Sequence, residues 1–182
     1  MDVCNGEQEK HISSLYFENK LNKLQKVNRI NTGILDVFPK QLTELEAQGV
    51  DFSILYLEHE DQILMFFQKI YELNKSSIYV KSTRIINTSD GYLIQKGFTK
   101  DDIEFIEKFL CYENKLLQLN HFEELARIIT LSTREVVFSN FYTEDTAIQG
   151  NFDLSFPVYF LSEQSKKLLN EYASEVNLYI RW

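Results

Sequence analysis

Chemistry in a folded chain starts from donors, nucleophiles and bases that spacing can bring together, and the histidines and cysteines here are sparse. His11, His59 and His121 stand apart from one another, and Cys4 is far from Cys111. A metal ion needs N, O or S donors within about 2 to 2.5 Å, which sequence usually betrays as close His or Cys pairs. Glu58-His59-Glu60-Asp61 contains the first half of a zinc-binding helix motif, but Ile63 occupies the place of the second His. A helix start whose carboxylates complement the dipole accounts for the same residues. Neither a metal nor a cofactor is expected.

Nucleophilic and phosphate chemistry meet similar obstacles. Cys111 and His121 could form a thiol and base only across a helix break, and a helical Cys reads as packing. No Gly-x-Ser-x-Gly elbow occurs. Gly91 and Gly97 are too far apart for a dinucleotide fingerprint or a P-loop, both of which need glycine where backbone meets phosphate. Paired carboxylates are assembled by folding rather than spacing. A small enzyme or ligand-binding domain with a site of dispersed Asp, Glu, His and Tyr is therefore the alternative function.

Charge points more strongly to a protein partner. Nineteen Lys and Arg against 27 Asp and Glu leave a net charge of −8. Such a surface repels nucleic acid and anionic lipid and steers a basic partner. Candidate partner-binding residues are Glu58, Glu60, Asp61, Asp101, Asp102, Glu123, Glu124, Glu144 and Asp145. Phe141 and Tyr142 join them, because alternate aromatics between Phe138 and Phe160 can lie outside a strand's buried face. Lys20, Lys23, Lys26 and Arg29 form a secondary basic stripe on the first helix, readable as a docking surface or a solvated face.

The elements that position these residues follow from periodicity. Helical spacing marks Glu7 to Asn28, then a helix opened by Pro39 and closed at Gly49, and a strongly apolar helix from Asp61 to Asn74. Thr99 and Asp102 signal a cap, followed by a stripe from Ile103 to Leu116 and Leu117. Further helices are expected through Phe122 to Ile129 and from Ser162 to Val176. Strand patterns cover Val50 to Leu57, Ser77 to Ile86 paired as a hairpin with Tyr92 to Gln95, Glu135 to Tyr142, Ala147 to Phe160, and Asn177 to Trp182. Pro157 marks an edge or bulge. The expected fold is α+β, with about six helices packed on a mainly antiparallel sheet of about five or six strands.

Composition sets the class. The chain has 182 residues, 44% hydrophobic and 25% charged, with 6 Gly and 2 Pro. One domain over residues 1–182 is expected, with residues 1–6 as a flexible end. The N-terminus lacks signal-peptide character, and no apolar run reaches the roughly 20 residues that span a bilayer, so a cytoplasmic protein is expected. The excess of 14 Lys over 5 Arg, with 16 Ile and 13 Asn against 4 Ala, reflects an AT-rich coding genome and suggests a bacterium or its phage. The leading functional expectation is a non-catalytic bacterial immunity or inhibitor protein that occludes a basic toxin or effector. A self-associating structural or regulatory protein, with the first helix as dimer seam, is the second alternative.

Overall fold

A computed structural model describes residues 1–16, 31–75 and 77–182. Lys20, Lys23, Lys26 and Arg29 lie outside the described residues, as does the second half of the expected first helix. In chain order the elements are β1 (Asp2–Val3), α1 (Gly6–Tyr16), β2 (Asn31–Asp36), α2 (Glu44–Ala47), α3 (Tyr56–Leu73) and β3 (Ile78–Ile85). There follow α4 (Asp90–Gln95), α5 (Lys100–Leu110), β4 (Leu117–Leu119), α6 (Phe122–Thr133), β5 (Val137–Tyr142) and β6 (Thr146–Gln149). A 3-10 turn (Phe152–Leu154) leads to β7 (Phe156–Phe160), α7 (Glu163–Glu175) and β8 (Tyr179–Arg181).

The fold is α+β. Among the described residues eight strands form one antiparallel sheet in the order β1-β4-β3-β5-β6-β7-β2-β8, more strands than periodicity indicates. Register explains how the sheet sorts its side chains. Val80 pairs with Phe141, Phe141 with Ile148, Ile148 with Val158 and Val158 with Gly33. Because side chains alternate, this row lies on one face, and Tyr79, Tyr142, Ala147, Tyr159 and Thr32 lie on the other. The first face packs beneath α3, α6 and α7, where Phe66, Phe67, Ile128, Ile129 and Leu169 are buried. Phe67 meets Phe141 edge-on at 4.7 Å between ring centres. On the second face Ile12 of α1 is buried with Leu116, Tyr142 and Ala147.

Gly33 is the small member of its row for a visible reason. A Cβ there would come 2.9 Å from Ile180 Cγ2 and 3.0 Å from Trp182 Cζ3. The indole also rests against Phe160, with ring centres 5.3 Å apart. The end of β2 and the last strand are joined by the ion pair of Arg181 with buried Asp36, whose Oδ1 also accepts the Phe38 N–H at 2.8 Å.

Several expected elements are corrected. Val50 to Leu57 is not a strand, because Asp51 accepts from Ser53 N and Oγ at 3.1 and 2.6 Å and bends the chain into the start of α3. Tyr92 to Gln95 belongs to α4, so β3 pairs with β4 and β5 instead. Gly97 ends that helix region at φ +81°, the left-handed conformation that favours glycine. Only Glu44 to Ala47 of the second expected helix is helical, with Thr43 and Glu46 forming a capping box. Leu116 and Leu117 leave the α5 stripe after Asn114 turns at φ +64°, and Leu117 enters β4.

Ala147 to Phe160 is two strands, divided at Gly150, where a Cβ would lie 2.9 Å from the Ser139 carbonyl oxygen. Pro157 sits inside the sheet order, yet the β6 ladder stops at Val158, one residue before the proline that has no N–H to give. The first residues, expected as a loose end, include β1, in which Asp2 pairs with Gln118 and Val3 with Leu117. Among the described residues no helix is long and apolar enough to cross a membrane.

Gly150 makes the packing testable. Its backbone neighbours, Ser139 N and O, cannot rotate away, so Gly150→Ala should destabilise the fold by about 1 to 3 kcal/mol in urea unfolding. An unchanged midpoint would show that the β5–β6 crossing yields without cost.

Candidate functional site

The longest helix among the described residues presents the most developed surface. α3 buries Tyr56, Ile63, Phe66, Phe67, Ile70 and Tyr71. At about 100° per residue, positions 57, 58, 61, 65, 68 and 72 fall on one outward arc. Leu57 and Met65 there are 69% and 47% exposed, two large apolar groups separated by the exposed Asp61. Glu58, 77% exposed, and the exposed Glu72 add negative charge beside them. The nearest lysine on the helix, Lys69, is held by Glu175 at 2.6 Å. The arc therefore combines apolar contact area with exposed carboxylates.

Glu60 faces inward, unlike its neighbours. Its carboxylate accepts from Arg134 Nε at 2.9 Å and Nη2 at 2.6 Å, and from Thr133 Oγ1 at 2.7 Å. Arg134 Nη1 donates to the Lys96 carbonyl at 2.9 Å, while the guanidinium stacks near Phe98 and Tyr56 at 5.0 and 5.4 Å. Burial by itself would push the Arg134 pKa down, but the Glu60 bonds outweigh it and hold the guanidinium above its ordinary value. Glu60 is thus a fastener between helices, which removes it from the partner-binding set.

Other sequence candidates divide the same way. Glu58, Asp61, Asp101, Glu123 and Glu144 are exposed. Asp102 caps α5, its Oδ2 accepting the Thr99 N–H at 2.9 Å, and Glu124 binds the Met1 ammonium at 2.7 Å. Asp145 accepts Ser165 Oγ at 2.5 Å and Thr143 Oγ1 at 3.1 Å, so it ties the β5–β6 turn to the start of α7. Phe141 and Tyr142 are 2% and 4% exposed and are corrected to core, since helical elements cover both sheet faces there. Sequence reading missed Leu57, Met65 and Glu72. The four-residue spacing of Leu57 and Met65 about Asp61 is a usable signal, masked by assigning Leu57 to a strand.

A cleft of about 220 Å³ opens between α5 and α6. Phe98 stacks near Arg134 and Phe105 near Arg127, so the two helices run antiparallel along it. Asp102 on α5 and Arg127 on α6 both line it without forming an ion pair. Burial raises the Asp102 pKa, yet the Thr99 hydrogen bonds together with Arg127 and Arg134 hold it below its ordinary value. Elsewhere His59 Nδ1 lies 2.7 Å from Gln62 Oε1, and among the described residues no three His, Cys, Asp or Glu side chains gather as a metal site.

The buried pair and the thiols give direct tests. Removing one partner strands the other charge, so Glu60→Gln or Arg134→Met should cost about 3 kcal/mol, and the double variant clearly less than the sum in a double-mutant cycle. Additive losses would remove the coupling. Burial first, then Glu9 and Asp2, push the Cys4 thiol up to about 11, whereas Cys111 is exposed. At pH 8 roughly one Cys4 in a thousand is thiolate, so a thiol reagent should label one cysteine per chain quickly, at Cys111. Two equally fast thiols would contradict this. Comparison with protein-family models, curated proteins and solved structures finds no match for this chain.

Proposed function

We propose that this chain is a non-catalytic binding protein, a bacterial immunity or inhibitor protein that neutralises a basic toxin or effector by covering its active surface. The observation that carries the reading is the outward face of α3, where Leu57 and Met65 flank Asp61 with Glu58 and Glu72 alongside. Apolar groups supply desolvated contact, and exposed carboxylates around them raise the encounter rate with a cation-rich surface. The net charge of −8 extends that attraction beyond contact distance. Methionine adds an adaptable surface that tolerates small differences in the opposing shape.

Occlusion requires no chemistry from the inhibitor. A basic active site that binds phosphates or other anions would meet carboxylates held on a rigid helix, while the flanking apolar pair excludes water between the proteins. Attraction between exposed charges is screened over about 8 Å at physiological salt, so complex formation should weaken as salt rises.

The test is recovery of the protein from its native cells at low salt, with Glu58→Lys/Asp61→Lys/Glu72→Lys as the matched variant. A basic protein should accompany the unaltered chain, and charge reversal should slow its association by about tenfold or more. The reading fails if no partner is recovered or if the reversed chain binds the recovered partner equally well.

A further inference from the structure

The α5–α6 cleft carries an inference that does not depend on the partner proposed above. Its walls are apolar: Phe98, Ile106 and Leu131 are buried at 8%, 2% and 1% exposure, and they line a space of about 220 Å³. That volume lies below the roughly 300 Å³ at which sites for drug-sized molecules begin, but above an engineered cavity of about 150 Å³ that takes benzene. It suits a ligand the size of one amino acid. Two local features keep it open. Ala126 places the smallest apolar side chain on the α6 wall, and Gly97 lacks the Cβ that would approach Arg134 Nη1 to 3.3 Å.

Polar groups in the cleft are arranged asymmetrically. Arg134 is already matched by Glu60 and the Lys96 carbonyl, so it contributes little uncompensated charge. Asp102 on one helix and Arg127 on the other line the cleft as an anion and a cation that attract each other without closing into an ion pair. The Asp102 cap bonds engage Oδ2. Oδ1 remains as an acceptor of further hydrogen bonds.

We infer that this cleft binds a small zwitterion with an apolar side chain, most simply an apolar α-amino acid. Its carboxylate pairs with the Arg127 guanidinium, its ammonium with Asp102 Oδ1, and its side chain lies among Phe98, Ile106 and Leu131. A lone anion would meet Asp102 and a lone cation would meet Arg127, so each single-charge analogue loses one favourable contact and gains one unfavourable one.

The experiment is an amide-shift NMR titration of the full chain with L-leucine and L-phenylalanine, alongside phenylacetate and phenethylamine as single-charge analogues. One of the two amino acids should shift amides of residues 97–106 and 126–131 in a saturable way, with each analogue about tenfold weaker or more. Ala126→Met should fill the cleft, and Arg127→Gln, at an exposed position, should remove the carboxylate contact; each should weaken binding about tenfold while the remaining spectrum stays folded. Absence of saturable shifts with either amino acid overturns the inference. So does equal binding of an analogue, or amino-acid affinity unchanged by Arg127→Gln. None of these outcomes bears on recovery of a basic protein by the α3 face.

Discussion

The ion pair between Glu60 and Arg134 is the constraint around which the helical layer is arranged. It joins the second turn of α3 to the residue that ends α6, and through Lys96 to the turn between α4 and α5. Both side chains are largely buried, 20% exposed for Arg134 and 14% for Glu60. A pair in such a place is tolerable only when nearly every donor and lone pair is engaged, and here Thr133 and the Lys96 carbonyl complete the set. The geometry fixes how α3 is turned about its axis. With Glu60, Ile63 and Phe67 directed inward, Leu57, Asp61 and Met65 are directed outward. The same arginine stacks on Phe98 at one end of the α5–α6 cleft, so the exposed helix face and the cleft share one anchor.

Beneath that layer the sheet separates two kinds of packing. One face carries Val80, Phe141, Ile148 and Val158 in a continuous apolar row, which meets the aromatic underside of α3. The opposite face carries Tyr79, Tyr142 and Tyr159, amphipathic rings that bury their bodies and keep a hydroxyl for hydrogen bonding. Asn140 donates to the Tyr142 hydroxyl at 3.0 Å, and the Tyr159 hydroxyl donates to Gln149 at 3.2 Å. Burial raises the pKa of all three phenols. Aromatics in this segment therefore serve the two faces of a covered sheet.

Local signals and long-range partners differ in how far sequence exposes them. The Thr99 and Asp102 cap is legible because both members of the bond lie within one turn, and the structure forms it as a capping box. The long apolar helix and the α+β class are legible because periodicity is a sum over many residues. Glu60 is different. Beside Glu58 and Asp61 it is one more carboxylate, and only its contact with Arg134, distant in sequence, separates a fastener from a docking group. Val50 to Leu57 misleads for a related reason: its β-forming composition is overruled by the Asp51 turn and by burial of Leu55 and Tyr56 at the start of α3. The short β4 is hidden because its leucines continue the spacing of α5 after Asn114 has already turned the backbone.

The same distinction sharpens the meaning of the negative charge. Asp36, Glu60, Glu124 and Asp145 are bound to arginine, the N-terminal ammonium or hydroxyl groups, so their charge is committed within the fold, while Asp102 gives only Oδ2 to its cap. Glu58, Asp61, Asp101, Glu123 and Glu144 remain exposed, and they set the field that an approaching molecule meets. A total of −8 would be compatible with a uniformly solvated surface and would then favour no particular encounter. Placed beside Leu57 and Met65, however, part of that charge borders apolar area that water wets at a cost. Long-range attraction and short-range desolvation then act on the same helix face, and their coincidence gives an acidic surface a preferred place to bind.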